Sequence, residues 1–204
     1  MLVDVPPGIR SSCSSRRHLV ASPCRRGVAA LRAAILIALG TGLLTLSAKI
    51  NLPLPYVPMT LQTLAVLMIG AAYGRRLGVA TIVTYLAEGA AGLPVFAGPV
   101  GGLSPLVGPT GGYLVGFVVA AFMTGGLSER GWDRSVPLLF VAMGIGHISI
   151  LAFGFVWLAF GLKLGADKAW LVGVAPFIAT SLIKNALGAA LVPALRHLLD
   201  RRRG

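Results

Sequence analysis

The sequence is dominated by six apolar runs, each about as long as a membrane span. A helix needs about 20 consecutive apolar residues to cross the hydrocarbon core of a bilayer. Because 56% of the 204 residues are hydrophobic and only 12% are charged, a soluble fold is disfavoured. We predict an all-α membrane protein, a bundle of six transmembrane helices. The runs cover roughly residues 28–48, 55–73, 77–96, 106–126, 136–160 and 170–191.

A proline-rich segment separates the first two predicted helices. Within LPLPYVPMT, Pro53, Pro55 and Pro58 lack amide donors and prevent a regular helix. Irregular backbone at membrane depth is tolerated only where protein buries it or where it lines a cavity. We therefore predict that this segment dips inward as a lid. The predicted domains are a disordered basic tail over residues 1–27, a substrate-binding membrane domain over 28–199, and a basic tail over 200–204.

The Lys and Arg residues are concentrated on one side of the predicted bundle. Thirteen of the 18 lie in the two tails and in the loops after the second and fourth helices. The opposite loops hold only Lys49, Lys163 and Lys168. Cytoplasmic loops of membrane proteins carry such an excess of positive charge. We predict that both termini are cytoplasmic and that the first helix is retained, although its arginines and small-residue end also resemble a cleaved secretory signal.

Two ionisable side chains, Lys184 and Glu88, fall midway along predicted helices. A charged side chain at the bilayer centre costs at least about 2.5 to 3.5 kcal/mol on insertion scales, so such residues are functional candidates. Lys184 shares a helical face with Ser181 and Asn185, and its ammonium can pair with a ligand carboxylate. A structural ion pair between Lys184 and Glu88 is the alternative, and the two interpretations can coexist.

Other polar side chains near the predicted lid and helices are candidates for a ligand site. Gln62 and Thr60 follow the lid and either contact a ligand or cap the broken helix. Tyr85 and Tyr113 are either interfacial anchors or walls of a pocket. We interpret His147, in the fifth helix, as a hydrogen-bonded interior residue rather than a metal ligand.

The first helix carries a small residue at every fourth position. Such a stripe allows another helix to approach closely. The stripe either packs inside the bundle or docks onto a separate membrane partner. Its members are Ala30, Ala34, Ala38 and Gly42.

The sequence has none of the residue patterns of an enzyme. No Gly-Lys-Ser or Gly-Lys-Thr of a phosphate loop occurs. The apolar body also contains no Ser-His-Asp set, metal-spaced cluster or paired carboxylates. We predict a protein that is not an enzyme, without a metal or cofactor, and we assign any ATP-driven step to another subunit.

Several segments together resemble a known family. They are PYVPMTLQTLAVLMIGAAYG, YLAEGAAGLPVFAG, LVGPTGGYLVGF, the GH of the fifth helix and SLIKNALGAAL of the sixth. In this order they resemble the BioY biotin transporters, which are substrate-binding S components of energy-coupling factor (ECF) importers. The likeness extends from about Lys49 to Leu191, and GLPVFAG followed by GPTGGY is its most specific part.

The resemblance implies a transport function in the bacterial plasma membrane. It implies that biotin binds near the external face under the lid, and that the small-residue stripe is a docking surface. It also implies two kinds of partner, a transmembrane coupling protein (EcfT- or BioN-like) and ATP-binding subunits (EcfA- or BioM-like). The alternatives are an S component for another carboxylate-bearing vitamin and a membrane scaffold without a transport role.

One position departs from the family pattern. In the family an aspartate precedes the sixth-helix lysine by three residues, whereas this chain has Ser181 there. A carboxylate can accept both ureido N–H groups of biotin, but a hydroxyl accepts more weakly. The resemblance therefore implies that either Glu88 takes this role or the ligand is altered.

Overall fold

The computed structural model of this protein describes the backbone of residues 23–98 and 101–201, and the side chains of 27–98 and 101–194. A short antiparallel hairpin follows the first helix, β1 (Asn51–Leu52) pairing with β2 (Met59–Thr60). A 3-10 turn (Trp132–Arg134) precedes the fifth helix, and a π-helical turn (Trp157–Gly161) extends it. The helices are α1 (Pro23–Lys49), α2 (Gln62–Ala90), α3 (Ser104–Val107), α4 (Gly111–Glu129), α5 (Val136–Val156), α6 (Ala166–Gly173) and α7 (Ala175–Arg201).

Gly74 divides α2 into two antiparallel arms, residues 62–73 and 75–90. Its φ of 77° and ψ of 177° are not helical, and glycine adopts a positive φ without steric cost. The reversal brings the Gln62 Nε2 atom within 2.8 Å of the Tyr85 hydroxyl. In a straight helix those residues would be separated by about 35 Å, at 1.5 Å per residue. The two arms correspond to the second and third predicted helices.

The predicted fold class is confirmed. By length and composition, five helical stretches of the described chain are able to cross a membrane, and the one over Gln62–Ala90 contains both arms of α2. With the two arms of α2 counted separately, the described chain has six main helical segments, as predicted. The proline-rich segment is not helical and forms the hairpin connection between β1 and β2, as the missing amide donors predicted.

Several predicted helix ends are wrong. The third helix ends at Ala90 rather than near residue 96, and α4 begins at Gly111 rather than near 106. The apolar residues in between include Val95 and Phe96, which are buried in a loop. Hydropathy predicted helix there because a buried loop and a buried helix have the same apolar composition. Glu88 consequently lies in the last turn of α2 and not midway along a helix.

The two ends of the chain also differ from the predicted boundaries. The first helix begins at Pro23, within the predicted N-terminal tail, and α7 continues to Arg201, past the predicted end of its span. Residues 1–22 and 202–204 of the predicted tails lie outside the described residues.

Glycines set the distance between the packed helices. A Cβ atom on Gly112 would lie 2.3 Å from the Trp157 Cβ atom, and one on Gly116 would lie 2.9 Å from the Ile150 Cα atom. Both glycines are on α4, which packs against α2 and α5. Small residues permit this close approach of membrane helices, and the contact fixes the position of α5 beside α4.

The basic loops meet at one end of the bundle, opposite the lid. The Glu129 Oε1 atom accepts a hydrogen bond of 2.8 Å from the backbone N–H of Arg75. This contact joins the turn at Gly74 to the end of α4, close to Arg130 and Arg134. The β1–β2 hairpin lies at the other end, where α1 ends and α2 begins.

Candidate functional site

A cavity of about 320 Å³ lies beneath the hairpin, at the lid end of the bundle. Small-molecule sites typically span about 300 to 1,000 Å³, with apolar walls and a few polar groups. The described apolar wall residues are Val57, Pro58, Phe96, Ala97, Gly98, Pro105, Leu114, Phe117, Ile150, Leu151 and Phe177. The described polar ones are Thr60, Gln62, Thr63, Thr110, Tyr113, His147, Ser181 and Lys184.

Lys184 reaches the lid from α7. Its side chain is only 8% exposed. The Nζ atom donates hydrogen bonds to the backbone carbonyl of Thr60 at 2.7 Å and to the Thr63 hydroxyl at 3.3 Å. An ammonium group has three N–H donors, so one remains beyond these two contacts. Lys184 thus ties the lid to the bundle and also presents a positive charge at the cavity.

The charge of Lys184 has no acidic counterpart in the cavity wall. The described lining residues include no Asp or Glu. Apart from Lys184 and His147, none of them has an ionisable side chain other than the Tyr113 phenol. No ion pair joins Lys184 to Glu88 within the described residues, because the ammonium contacts Thr60 and Thr63 instead. A buried cation is costly unless it is paired. The cavity is therefore electrostatically suited to an anionic ligand.

His147 contributes another polar side chain to the cavity wall. Its Nδ1 atom lies 2.5 Å from the Asn185 Oδ1 atom, linking α5 to α7. The side chain is 3% exposed, and its Nε2 atom has no hydrogen-bond partner. Buried polar atoms are rarely left unpaired, so this nitrogen needs a partner that the described residues do not supply.

Gln62 is held in the wall by a chain of hydrogen bonds. Its Nε2 atom donates to the Tyr85 hydroxyl, which in turn donates to the Val95 carbonyl at 2.9 Å. The Phe96 ring meets the Tyr85 ring edge to face, with centroids 5.6 Å apart. This arrangement is the favoured one for paired aromatic rings. Tyr85 therefore positions both Gln62 and the loop that carries Phe96.

The loop around residues 95–98 and the lid are joined by two side chains. The Lys49 Nζ atom donates to the carbonyls of Phe96 and Gly98, each at 2.9 Å. The Asn51 Nδ2 atom donates to the Ala97 carbonyl at 3.1 Å. Lys49 ends α1 and Asn51 begins β1. These bonds therefore hold the 95–98 loop against the junction between α1 and the hairpin.

Comparison with known proteins identifies the family. Residues 17–201 match the family model described as the BioY family. That match includes more than half of the chain. The chain belongs to the BioY family. Its resemblance to this family in the separate motifs is thereby confirmed.

Individual relatives agree with this assignment. The chain is 37% identical to a probable biotin transporter BioY of Pyrococcus horikoshii, over 79% of this chain and 94% of that protein. It is 40% identical to the biotin transporter BioY of Rhizobium etli, over 79% and 87%. A crystal structure of the S-component for biotin from an ECF-type ABC transporter is also similar. It has a TM-score of 0.74 and 25% identity, over 83% of this chain and 93% of that one.

The structure of this BioY chain brings five of the predicted site residues to the cavity. They are Thr60, Gln62, Tyr113, Ser181 and Lys184. Tyr113 forms part of the wall and donates its hydroxyl proton to the Gly173 carbonyl at 2.7 Å. Ser181 lies one helical turn before Lys184 and is buried.

Three other predicted residues do not line the cavity. Asn185 lies behind it, bonded to His147, and Tyr85 lies behind Gln62. Glu88 is partly buried near the end of α2, outside the described lining. Sequence analysis did not predict that His147 and Thr63 line the cavity. The position of His147 in the apolar fifth helix was all that the sequence offered. That position does not show whether the side chain lines a cavity.

The small-residue stripe of this BioY chain lies on the outer side of α1. Ala30, Ala34, Ala38 and Gly42 are all exposed, and a Cβ atom on Gly42 would meet nothing within 4 Å. The inner side of α1 uses Gly40 instead, where a Cβ atom would lie 2.5 Å from the Thr81 Cγ2 atom. Within the described chain the stripe is therefore exposed, and its docking role stays a prediction.

Proposed function

We propose that this BioY chain is the substrate-binding S component of an ECF-type importer. It captures biotin at the external face of the plasma membrane and delivers it to the cytoplasm together with a coupling module. The observation that carries the proposal is the buried ammonium of Lys184 in a cavity whose other described walls supply no acidic partner.

The ligand that suits this cavity is a small anion with an apolar body. Its carboxylate would receive the third N–H of Lys184, beside the two already given to Thr60 and Thr63. A charge-assisted hydrogen bond of this kind is shorter and roughly twice as strong as a neutral one. Biotin has the required parts, a carboxylate, an apolar ring and chain, and a ureido group with two N–H donors.

The names of similar proteins support biotin over other vitamins. The relatives from Pyrococcus horikoshii and Rhizobium etli are named as biotin transporters, and the similar crystal structure is described as an S-component for biotin. Ser181 is a weaker acceptor than a carboxylate, so another acceptor in the cavity must help to recognise the ureido group. Another carboxylate-bearing vitamin is the competing ligand.

The partners of the proposed importer are a transmembrane coupling protein and ATP-binding subunits. The exposed stripe Ala30, Ala34, Ala38 and Gly42 offers the coupling protein a surface for close helix packing. We place the basic end of the bundle and both termini in the cytoplasm, in accordance with the positive-inside rule. The lid then faces outward, where biotin arrives.

Uptake of labelled biotin by cells that lack their own biotin transporter tests this proposal. We expect accumulation when the chain is expressed with an ECF coupling module. Accumulation should fall to background when the ATP-binding subunit carries a substitution of its phosphate-loop lysine, because no ATP is then hydrolysed. Mass spectrometry of the ligand that co-purifies with the chain should identify biotin. A different bound vitamin, or uptake that does not depend on the chain, would contradict the proposal.

A further inference from the structure

The unpaired Nε2 atom of His147 gives the cavity a preference for one kind of hydrogen-bonding group. In the structure the Asn185 amide turns its Oδ1 atom toward Nδ1 of His147, and because an amide oxygen only accepts, this orientation corresponds to an imidazole proton on Nδ1. In that tautomer the Nε2 atom carries a lone pair and no proton. Nε2 is buried, has no partner in the described chain and belongs to a residue of the cavity wall. The group that satisfies it must be a donor.

We infer that His147 is a specificity-determining residue whose Nε2 atom accepts an N–H hydrogen bond from the ligand. The inference rests on the proposed function, and under it the donor is a ureido N–H of biotin. The cavity then recognises opposite features of one molecule, with Lys184 as the donor to an anionic group and His147 as the acceptor from an N–H.

A second acceptor at His147 explains how a cavity with Ser181, a weak acceptor, on α7 can still recognise the ureido group. Ser181 and Lys184 occupy successive turns of one face of α7, and Asn185 on the same helix orients His147 across from it on α5. The neutral imidazole supplies an acceptor without adding a second charge beside the ammonium. A ligand without a matching donor leaves the buried Nε2 atom of His147 unpaired, and this desolvation penalty disfavours such ligands.

A pair of substitutions separates ligand recognition from internal packing. In His147→Asn, the side-chain amide nitrogen takes the place of Nδ1 and keeps the bond to Asn185, but no acceptor reaches the cavity. In His147→Gln, the longer side chain brings an amide oxygen to the position of Nε2. We expect biotin to bind about tenfold more weakly to the Asn variant and with nearly wild-type affinity to the Gln variant.

Binding to the wild-type protein and to the two variants distinguishes the proposed function from the role of His147. If the folded wild-type protein does not bind biotin, the proposed function is overturned together with the inference. If the wild type binds biotin and the Asn variant binds it equally well, or if the Gln variant loses as much as the Asn variant, only the role of His147 is overturned.

A measurement on the wild-type protein is independent of how the variants fold. Nitrogen NMR of the purified protein with labelled histidines should show an unprotonated Nε2 on His147, and saturating biotin should move that resonance upfield as it accepts a hydrogen bond. His18 and His197 lie in the terminal segments and should not respond. An Nε2 resonance of His147 that is unchanged at saturation would overturn the inference.

Discussion

Replacing Lys184 with alanine is expected to weaken biotin binding by roughly ten- to a hundredfold, since a charged hydrogen bond contributes about 1.5 to 3 kcal/mol. Lys184 is the only Lys or Arg among the described cavity residues, and His147 is neutral in the tautomer inferred above. Without it, the ligand carboxylate enters a buried site with nothing to compensate its charge. Equilibrium binding of labelled biotin to the purified variant measures the loss.

Lys184 also bonds to the lid, so the experiment must distinguish ligand contact from lid closure. Biotin methyl ester lacks the carboxylate and provides that distinction. If Lys184 binds the carboxylate, the substitution weakens binding of the acid much more than binding of the ester. If Lys184 serves only to hold Thr60 and Thr63, the acid and the ester are weakened alike, which contradicts the ligand contact.

Two control variants complete the test of Lys184. Lys184→Met keeps much of the apolar stem but removes the ammonium, so it should lose affinity like the alanine variant without enlarging the cavity as much. Lys163→Ala removes a positive charge from an exposed position outside the described cavity lining, and it should bind biotin normally. A normal affinity in Lys184→Met would exclude the ammonium from recognition.

Leucine at Ala34 or Ala38 is expected to abolish most of the co-purification of the chain with an ECF coupling module. Both alanines are exposed on the outer side of α1, where a longer side chain prevents close approach of a partner helix. Biotin binding should be unchanged, because α1 contributes none of the described cavity residues. Affinity purification of the co-expressed complex, followed by quantification of the coupling protein, gives the result.

A matched substitution controls for the added bulk. Ala186 is exposed on α7, away from the stripe, so Ala186→Leu should leave co-purification intact. Two outcomes would argue against the stripe as the docking surface. One is normal co-purification of both α1 variants, and the other is an equal loss in the Ala186 variant.

The membrane fold was predictable because its main determinants are local in the sequence. The length of each apolar run predicts a span, and the three prolines of the lid exclude helix from that segment. The reversal at Gly74 coincides with the arginine pair at 75 and 76, which marked the boundary between two helices. The helix ends were less predictable, because Val95 and Phe96 are apolar whether they continue a helix or close over a cavity.

The site was predictable only in part, because its contacts join distant segments. Lys184 was identified from the cost of burying its charge, but its bonds to Thr60 and Thr63 span more than 120 positions. The pairing of His147 with Asn185 spans 38 positions. The sequence does not show which imidazole nitrogen of His147 bonds to Asn185 and which has no hydrogen-bond partner in the described chain.

Every role proposed for this BioY chain requires that biotin bind in the cavity beneath the lid. Equilibrium binding of labelled biotin to the purified protein, in detergent and without partner subunits, measures this binding without any contribution from transport. We expect a single saturable site from which unlabelled biotin displaces the label. Folded, monodisperse protein that shows no saturable binding of biotin would contradict it.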